Sequence, residues 1–349
     1  MIQTGVSAGP VVDARGVAFT VSDPGRSLLR VRLVQEIGLS ARSVEFERAD
    51  GRWRLRIGRG PADRLEYMLE IHRADGSVEV GPDPDNPRRV GGVFGEKSVV
   101  EFPGYVPPAW LSASAPPGRI APFSVASRHL DASVTGSVWT APGLHSGDPA
   151  PLLVVHDGPE YDRLAELTRF LAVCVSGGAV PPLRALLLQA GERNVWYAAE
   201  PAYARALVDE VLPSVPASRR IGMGTSLGAL AMLHAYRHDP DGFAGLFLQS
   251  GSFFTEELDP QERRFPRFAE ITRFVAQVHE AGVAARPAPV GMTCGSAEEN
   301  LACNQLMAGR LAAQGHEVAF HVVRDAHNYT SWRDGFHPHL PALLRASSS

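Results

Sequence analysis

The stretch Gly222-Met223-Gly224-Thr225-Ser226-Leu227-Gly228-Ala229-Leu230-Ala231-Met232-Leu233 constrains this chain more than any other. Ser218-Arg219-Arg220-Ile221-Gly222-Met223 predicts a short strand, and the apolar, Ala-rich residues 227–238 predict a helix directly after it. A strand that becomes a helix within one residue forces Ser226 into a strained backbone. Glycines at 224 and 228 are what would let the two arms pass each other. The serine hydroxyl is thereby carried to a helix N-terminus, where unpaired N–H groups and the positive dipole end favour developing negative charge.

The rest of the chain narrows the class. A length of 349 residues suggests two domains, and an apolar fraction of 44% is ordinary for a globular protein. A formal charge of -4 offers no electrostatic case for nucleic acid or an anionic membrane as partner. Met1-Ile2-Gln3-Thr4-Gly5 lacks the basic and apolar regions of a secretory leader, and no apolar run approaches a membrane span, so a cytoplasmic location is expected. Cys174, Cys294 and Cys303 are odd in number and lack C-x-x-C spacing, which supports neither a disulfide framework nor a zinc site.

Residues 16–101 predict β-structure. Leu28-Leu29-Arg30-Val31-Arg32-Leu33-Val34, Gly51-Arg52-Trp53-Arg54-Leu55-Arg56-Ile57 and Leu65-Glu66-Tyr67-Met68-Leu69-Glu70-Ile71 put apolar groups on one face, with Asp50-Gly51 and Asp75-Gly76 as hairpin turns. A small antiparallel sandwich over residues 1–105 is expected. Asp83-Pro84-Asp85-Asn86-Pro87 predicts a rigid loop that lacks the glycine and glutamate of a calcium loop. The prolines of 103–122 predict an interdomain linker at 106–121, followed by a catalytic domain over 122–349. An opening strand pair is expected at 123–128 and 133–140. Beyond it, short apolar strands (152–156, 184–189, 245–250, 289–293, 318–323) alternate with helical segments (164–175, 203–211, 268–280, 300–314, and one from 331). This alternation predicts a mostly parallel, doubly wound α/β sheet.

Gly224-Thr225-Ser226-Leu227-Gly228 fits G-x-S-x-G, the pattern that presents a nucleophilic serine on such a sheet. A serine nucleophile needs a base and an orienting acid, and catalytic groups gather at the carboxyl ends of the strands. His327 follows the 318–323 strand and is the favoured base over His156, His316, His321, His337 and His339. Glu298 and Glu299 both follow the 289–293 strand, and Asp259 follows the earlier one, so the identity of the acid stays open, with Glu298 preferred.

His156-Asp157-Gly158, Arg193 with Trp196-Tyr197, the Gly224–Gly228 pentapeptide, Gln249-Ser250-Gly251-Ser252, Gly295-x-x-Glu298-Glu299-Asn300 and His327-Asn328-x-x-x-Trp332-Arg333 occur in order. As an ordered set they resemble the esterase D-like group of α/β-hydrolases, and most of all the enterochelin esterases, which open catecholate siderophore trilactones. The Asp83–Pro87 loop and the strands before it resemble, more loosely, that group's immunoglobulin-like (E-set) domain.

The resemblance implies Ser226 as nucleophile, His327 as base, Glu298 as acid and a small ester as substrate, with no cofactor or metal. Leu227 would supply one oxyanion donor. The second would follow Asp157-Gly158, yet Pro159 has no N–H, so Gly158, Glu160 or the Tyr161 hydroxyl must replace it. Arg193 would fall near the substrate mouth, with a structural ion pair as the alternative. Trp332 would pack behind His327 or serve as a substrate platform. Trp196 stands where many relatives carry an acid. The competing functions are an acyl esterase for carbohydrate esters and a non-catalytic binding protein on the same scaffold.

Overall fold

A computed structural model of the chain describes residues 9–145 and 147–345; Met1-Ile2-Gln3-Thr4-Gly5, read above for a leader, lie outside the described residues. The chain divides into two compact units.

The first unit runs to Pro107 and also contains Gly295–Glu299 and Arg324–Ser331. Its strands are β1 (Val11–Asp13), β2 (Gly16–Ser22), β3 (Leu28–Gln35), β4 (Glu47–Ala49), β5 (Arg52–Gly58), β6 (Arg64–Arg73), β7 (Val78–Gly81), β8 (Arg89–Gly92) and β9 (Gly95–Glu101). They form two antiparallel sheets, one ordered β1-β2-β5-β4, the other β3-β6-β9-β8 with β7 on β6. The alternating apolar positions meet in one core, where Phe19 and Tyr67, from opposite sheets, sit edge to face at 4.9 Å. Asp50 and Gly51 take positive φ at one hairpin and Gly76 at another, as their sequence chemistry requires. The Asp83–Pro87 loop is a structural closure. Asp83 accepts from the buried Tyr67 hydroxyl at 2.7 Å, and the Asn86 amide donates to that hydroxyl and to the Val99 carbonyl.

The second unit carries β10 (Arg119–Ser127), β11 (Ala132–Thr140), β12 (Pro151–Val155), β13 (Arg184–Leu188), β14 (Arg219–Thr225), β15 (Gly245–Gln249), β16 (Pro289–Gly295) and β17 (Glu317–Val323). They form one sheet ordered β10-β11-β13-β12-β14-β15-β16-β17. The β10–β11 hairpin joins antiparallel, and β13, β12, β14, β15 and β16 run parallel. The helices are α1 (Gly158–Ala165), α2 (Leu167–Ser176), α3 (Arg193–Trp196), α4 (Pro201–Arg205), α5 (Leu227–His238), α6 (Phe268–Glu280), α7 (Leu301–Ala313), α8 (Tyr329–Asp334) and α9 (His339–Arg345).

Both sheet faces are covered. A Cβ on Gly222 would meet Met232 of α5 and the Leu246 side chain, whereas one on the adjacent Gly245 would meet Leu343 of α9. Neighbouring strand residues point to opposite faces, so α5 and α9 lie on opposite sides.

Three local expectations change. The helical segment expected at 164–175 is two helices, α1 and α2, because Glu166 takes a left-handed backbone (φ 52°) between them. The helix expected at 203–211 is one turn-rich run in which α4 passes into a π-helix at Ala206–Val211. The stretch expected as a linker, 106–121, contains a single 3-10 turn at Ala109–Ser112. Residues from Pro108 belong to the second unit, Trp110 packs edge-on against Phe170 at 5.2 Å, and β10 begins at Arg119.

Candidate active site

The sharp turn expected at Ser226 is present. β14 ends at Thr225, α5 begins at Leu227, and Ser226 between them has φ 54° and ψ -125°. Such a backbone costs a non-glycine residue about 1–3 kcal/mol. Packing imposes it: a Cβ on Gly224 would lie 2.4 Å from the Gly228 carbonyl carbon, so strand and helix cross in backbone contact. The turn is held from outside as well. The Ser226 N–H donates to the Gln249 carbonyl at 3.0 Å, and the Ser252 N–H donates to the Ser226 carbonyl at 3.1 Å. The Ser226 hydroxyl lies 3.2 Å from that of Ser252. As the first helical residue, Leu227 has an N–H with no acceptor in its own helix.

The Ser250-Gly251-Ser252 turn is fixed by two buried asparagines, Asn300 of the motif above and Asn304, which the sequence reading did not single out. Asn300 donates to the Ser250 carbonyl at 3.0 Å. Asn304 accepts from the Gly251 N–H and donates to the Gly251 carbonyl, both at 2.8 Å. Asn304 lies on the same helix face as Asn300, four residues on. That i, i+4 spacing was the available signal.

His327 and Glu298 are brought together. Nδ1 of His327 lies 2.8 Å from Oε2 of Glu298, whose other oxygen accepts the Gly295 N–H at 2.7 Å. The carboxylate side chain is 1% exposed and the imidazole 37%. A carboxylate can only accept, so the proton sits on Nδ1 and Nε2 becomes the basic nitrogen. Glu299 is exposed, and Asp259 is buried elsewhere, accepting the Thr255 N–H at 2.9 Å.

Around His156-Asp157-Gly158 the structure assigns roles that sequence left open. His156 is buried and donates from Nδ1 to the Gly228 carbonyl at 2.8 Å, and burial pushes its pKa down to about 4. Asp157 takes a left-handed backbone (φ 51°). Arg193 grips the Asp157 carboxylate with two bonds, 2.9 Å from Nε and 2.8 Å from Nη2. Arg193 is thus the ion-pair partner of a buried aspartate, the structural alternative named above, with its own side chain 35% exposed. Gly158 opens α1 with its Cα against Leu187, where any Cβ would lie 2.3 Å from the strand backbone.

Two of the aromatic side chains named above are buried. Tyr161 is fully buried and its hydroxyl donates to Oε1 of Gln249 at 2.9 Å, so in this arrangement that proton is committed to Gln249. Trp332 is buried too, with its indole N–H on the Ser250 hydroxyl at 2.9 Å and its carbonyl receiving the Gln249 amide at 2.9 Å. It packs, and offers no platform. Gln249 is the hub that ties α1, β16 and α8 together, since its amide also reaches the Thr293 hydroxyl. In the first turn of α1 the Tyr161 N–H already bonds the Asp157 carbonyl, which leaves Gly158 and Glu160 as the N–H-bearing residues around Pro159.

Among the described residues no group of three or more His, Cys, Asp or Glu is arranged to hold a metal ion, and no helix is long and apolar enough to cross a membrane. All three cysteines are buried.

No protein-family model matches the chain. The iron(III) enterobactin esterase of Dickeya dadantii (strain 3937) is 30% identical over 218 residues, 57% of this chain and 49% of that protein, so the match spans about half of the curated relative's length. Two solved structures share the fold across nearly the whole chain. The ferric enterobactin esterase of Salmonella typhimurium superposes with a TM-score of 0.78 at 20% identity, covering 96% of each chain. The enterobactin esterase of Shigella flexneri, determined in the presence of enterobactin, gives 0.77 at 20% identity, covering 98% of this chain and 99% of that one. The resemblance to enterochelin esterases read from the sequence motifs therefore holds in sequence and in fold.

Proposed function

Given this kinship with enterobactin esterases, we propose that the chain is a serine carboxylic ester hydrolase working through Ser226, His327 and Glu298. The observation that carries the reading is the 2.8 Å bond from His327 to the buried Glu298 carboxylate, which selects the tautomer a general base requires. The strained Ser226 backbone at the head of α5 is the second support.

In this mechanism Ser226 Oγ attacks the ester carbonyl and passes its proton to Nε2 of His327. The Glu298 carboxylate holds the resulting imidazolium without itself taking the proton. The tetrahedral oxyanion develops at the positive end of α5 and takes the Leu227 N–H. A backbone N–H of Gly158 or Glu160 is the second donor, since Tyr161 is committed to Gln249. His327 then returns its proton to the leaving alcohol, and water attacks the acyl-enzyme with His327 again as base. No step of this sequence calls for a metal or a cofactor.

The favoured substrate is a catecholate siderophore trilactone, the ester class that the motif resemblance implies, and the named relatives are enterobactin esterases. A cytoplasmic location suits such a substrate. The two N-terminal antiparallel sheets are proposed to be an immunoglobulin-like (E-set) domain, followed by an α/β-hydrolase catalytic domain.

A fluorophosphonate probe with a substrate panel tests the reading. Wild type should label at Ser226 and hydrolyse iron-free or iron-loaded trilactones faster than short aryl esters or feruloyl sugars. Absence of labelling together with absence of turnover on every ester would refute it. Preference for feruloyl sugars would retain the chemistry and change the substrate.

A further inference from the structure

The loop that carries His327 is held by a buried charge from a distant strand. Arg64, the first residue of β6, is 3% exposed and places Nη1 2.9 Å from Oδ2 of Asp325. Its Nη2 lies 3.4 Å from Oε1 of Glu66, and its guanidinium covers the Tyr105 ring. The second Asp325 oxygen accepts the Ala326 N–H at 2.8 Å and the Asn328 side-chain amide at 3.1 Å. One carboxylate, neutralised by Arg64, therefore anchors the residues on both sides of His327. Asn328 extends the anchor by accepting the Ser331 N–H at 2.8 Å.

Neighbours of Arg64 hold the same loop and the acid's loop. The Asp63 N–H donates to the Arg324 carbonyl at 2.7 Å, and Arg324 returns a bond to the Asp63 carboxylate at 3.0 Å. The Ser296 hydroxyl donates to the Pro61 carbonyl at 2.9 Å, and the Ala297 N–H to the Asp325 carbonyl at 3.0 Å. Residues 61–64 thus bond Ser296, Arg324 and Asp325 directly, and Asp325 passes the hold to Ala297, Ala326 and Asn328.

We propose that Arg64 is a positioning residue for catalysis. Through Asp325 it fixes the backbone on either side of His327, so that a strand of the N-terminal unit sets the register of the base against its acid. The inference rests on the serine-esterase reading above. Apolar packing alone does not explain the arginine, because a hydrophobic side chain of similar volume would fill the space without the cost of desolvating a charge. What the fork adds is direction, since the planar guanidinium, held at Nη2 by Glu66, aims Nη1 at one oxygen of the Asp325 carboxylate. A displacement of a catalytic group by about 1 Å can lower turnover on the order of a hundredfold.

The test compares Arg64→Gln, Arg64→Lys and the double variant Arg64→Met/Asp325→Asn, which leaves neither member of the pair charged. Fluorophosphonate titration counts competent sites, so kcat is expressed per site. Arg64→Gln and the double variant should each lose about tenfold or more in kcat per site, with KM within about threefold. Arg64→Lys, which keeps the charge but loses the fork, should recover part of that loss. A merely structural arginine would lower the number of competent sites and leave kcat per site within about twofold of wild type. That outcome overturns the proposal. Should Arg64→Gln and the double variant fail to fold, Arg64→Lys decides: unchanged kcat per site overturns the proposal, and a loss of about threefold or more sustains it. His327→Ala is run alongside. If it stays active, the esterase reading has failed; if it is inactive while the Arg64 variants behave as wild type, only the positioning role has.

Discussion

Nδ1 of His327 stands 2.8 Å from Oε2 of Glu298, while Oε1 of the same carboxylate receives the Gly295 N–H at 2.7 Å. The glutamate is therefore fixed by backbone before it meets the imidazole, and the ring has one orientation to adopt. A backbone-held acid loses little entropy when the base becomes charged, which is the condition for stabilising a transient imidazolium.

Replacing Ser226 or His327 by alanine should each abolish nearly all ester turnover and leave the fold intact by circular dichroism. Members of a triad act as a unit, so the double variant should be little worse than either single one. Near-normal turnover in Ser226→Ala would remove the enzymatic reading altogether.

The adjacent glutamates should separate cleanly. Glu298→Gln keeps a side-chain oxygen for the Gly295 N–H but presents no carboxylate to His327, and kcat should drop about a hundredfold or more. Glu299 is exposed, and Glu299→Gln should stay within about twofold. Equal losses would point away from Glu298 as the orienting acid.

Tyr161→Phe is expected to cost stability rather than rate. It strands Oε1 of the buried Gln249, a loss of about 1–3 kcal/mol in chemical denaturation. Turnover per folded molecule should remain within about tenfold. A hundredfold fall in kcat with unchanged stability would restore the hydroxyl as an oxyanion donor.

His156 should make the protein acid-sensitive. Burial lowers its folded pKa to about 4, from an ordinary 6.5. Between those values the unfolded chain binds the extra proton, so stability is full near neutral pH and falls as the pH drops toward 4. From pH 7 to pH 5 this residue accounts for about 2 kcal/mol. The pH slope of the unfolding free energy in wild type minus that in His156→Asn isolates the effect. Equal slopes would mean that His156 is not held neutral.

Legibility in the sequence followed the range of the interactions. The strand–turn–helix at Ser226 was readable because its cause is local. Gly224 and Gly228 lie four residues apart and must pass each other wherever this stretch folds. The β-rich first hundred residues and the parallel strands after them were readable for the same reason, since alternation of apolar side chains is a property of each segment alone. Helix breaks were less legible. Glu166 turns left-handed between α1 and α2 without the glycine that normally marks such a break.

Side-chain partnerships lay beyond it. Chain order placed Glu298 and Glu299 ahead of Asp259 as the acid, and only the fold of the loop turned Glu298 inward and Glu299 outward. Arg193 and Tyr161 carry polar groups that suit a substrate as well as a buried partner. Whether Asp157 and Gln249 reach them depends on how α1, α3 and β15 pack. Arg64 and Asp325 are 261 positions apart, with no motif to join them. What the sequence alone determined was most of the local conformations and the succession of strands along the chain. Which polar groups became partners was decided by tertiary structure, because hydrogen bonds act over about 3 Å and only the folded chain brings such distant residues within that range.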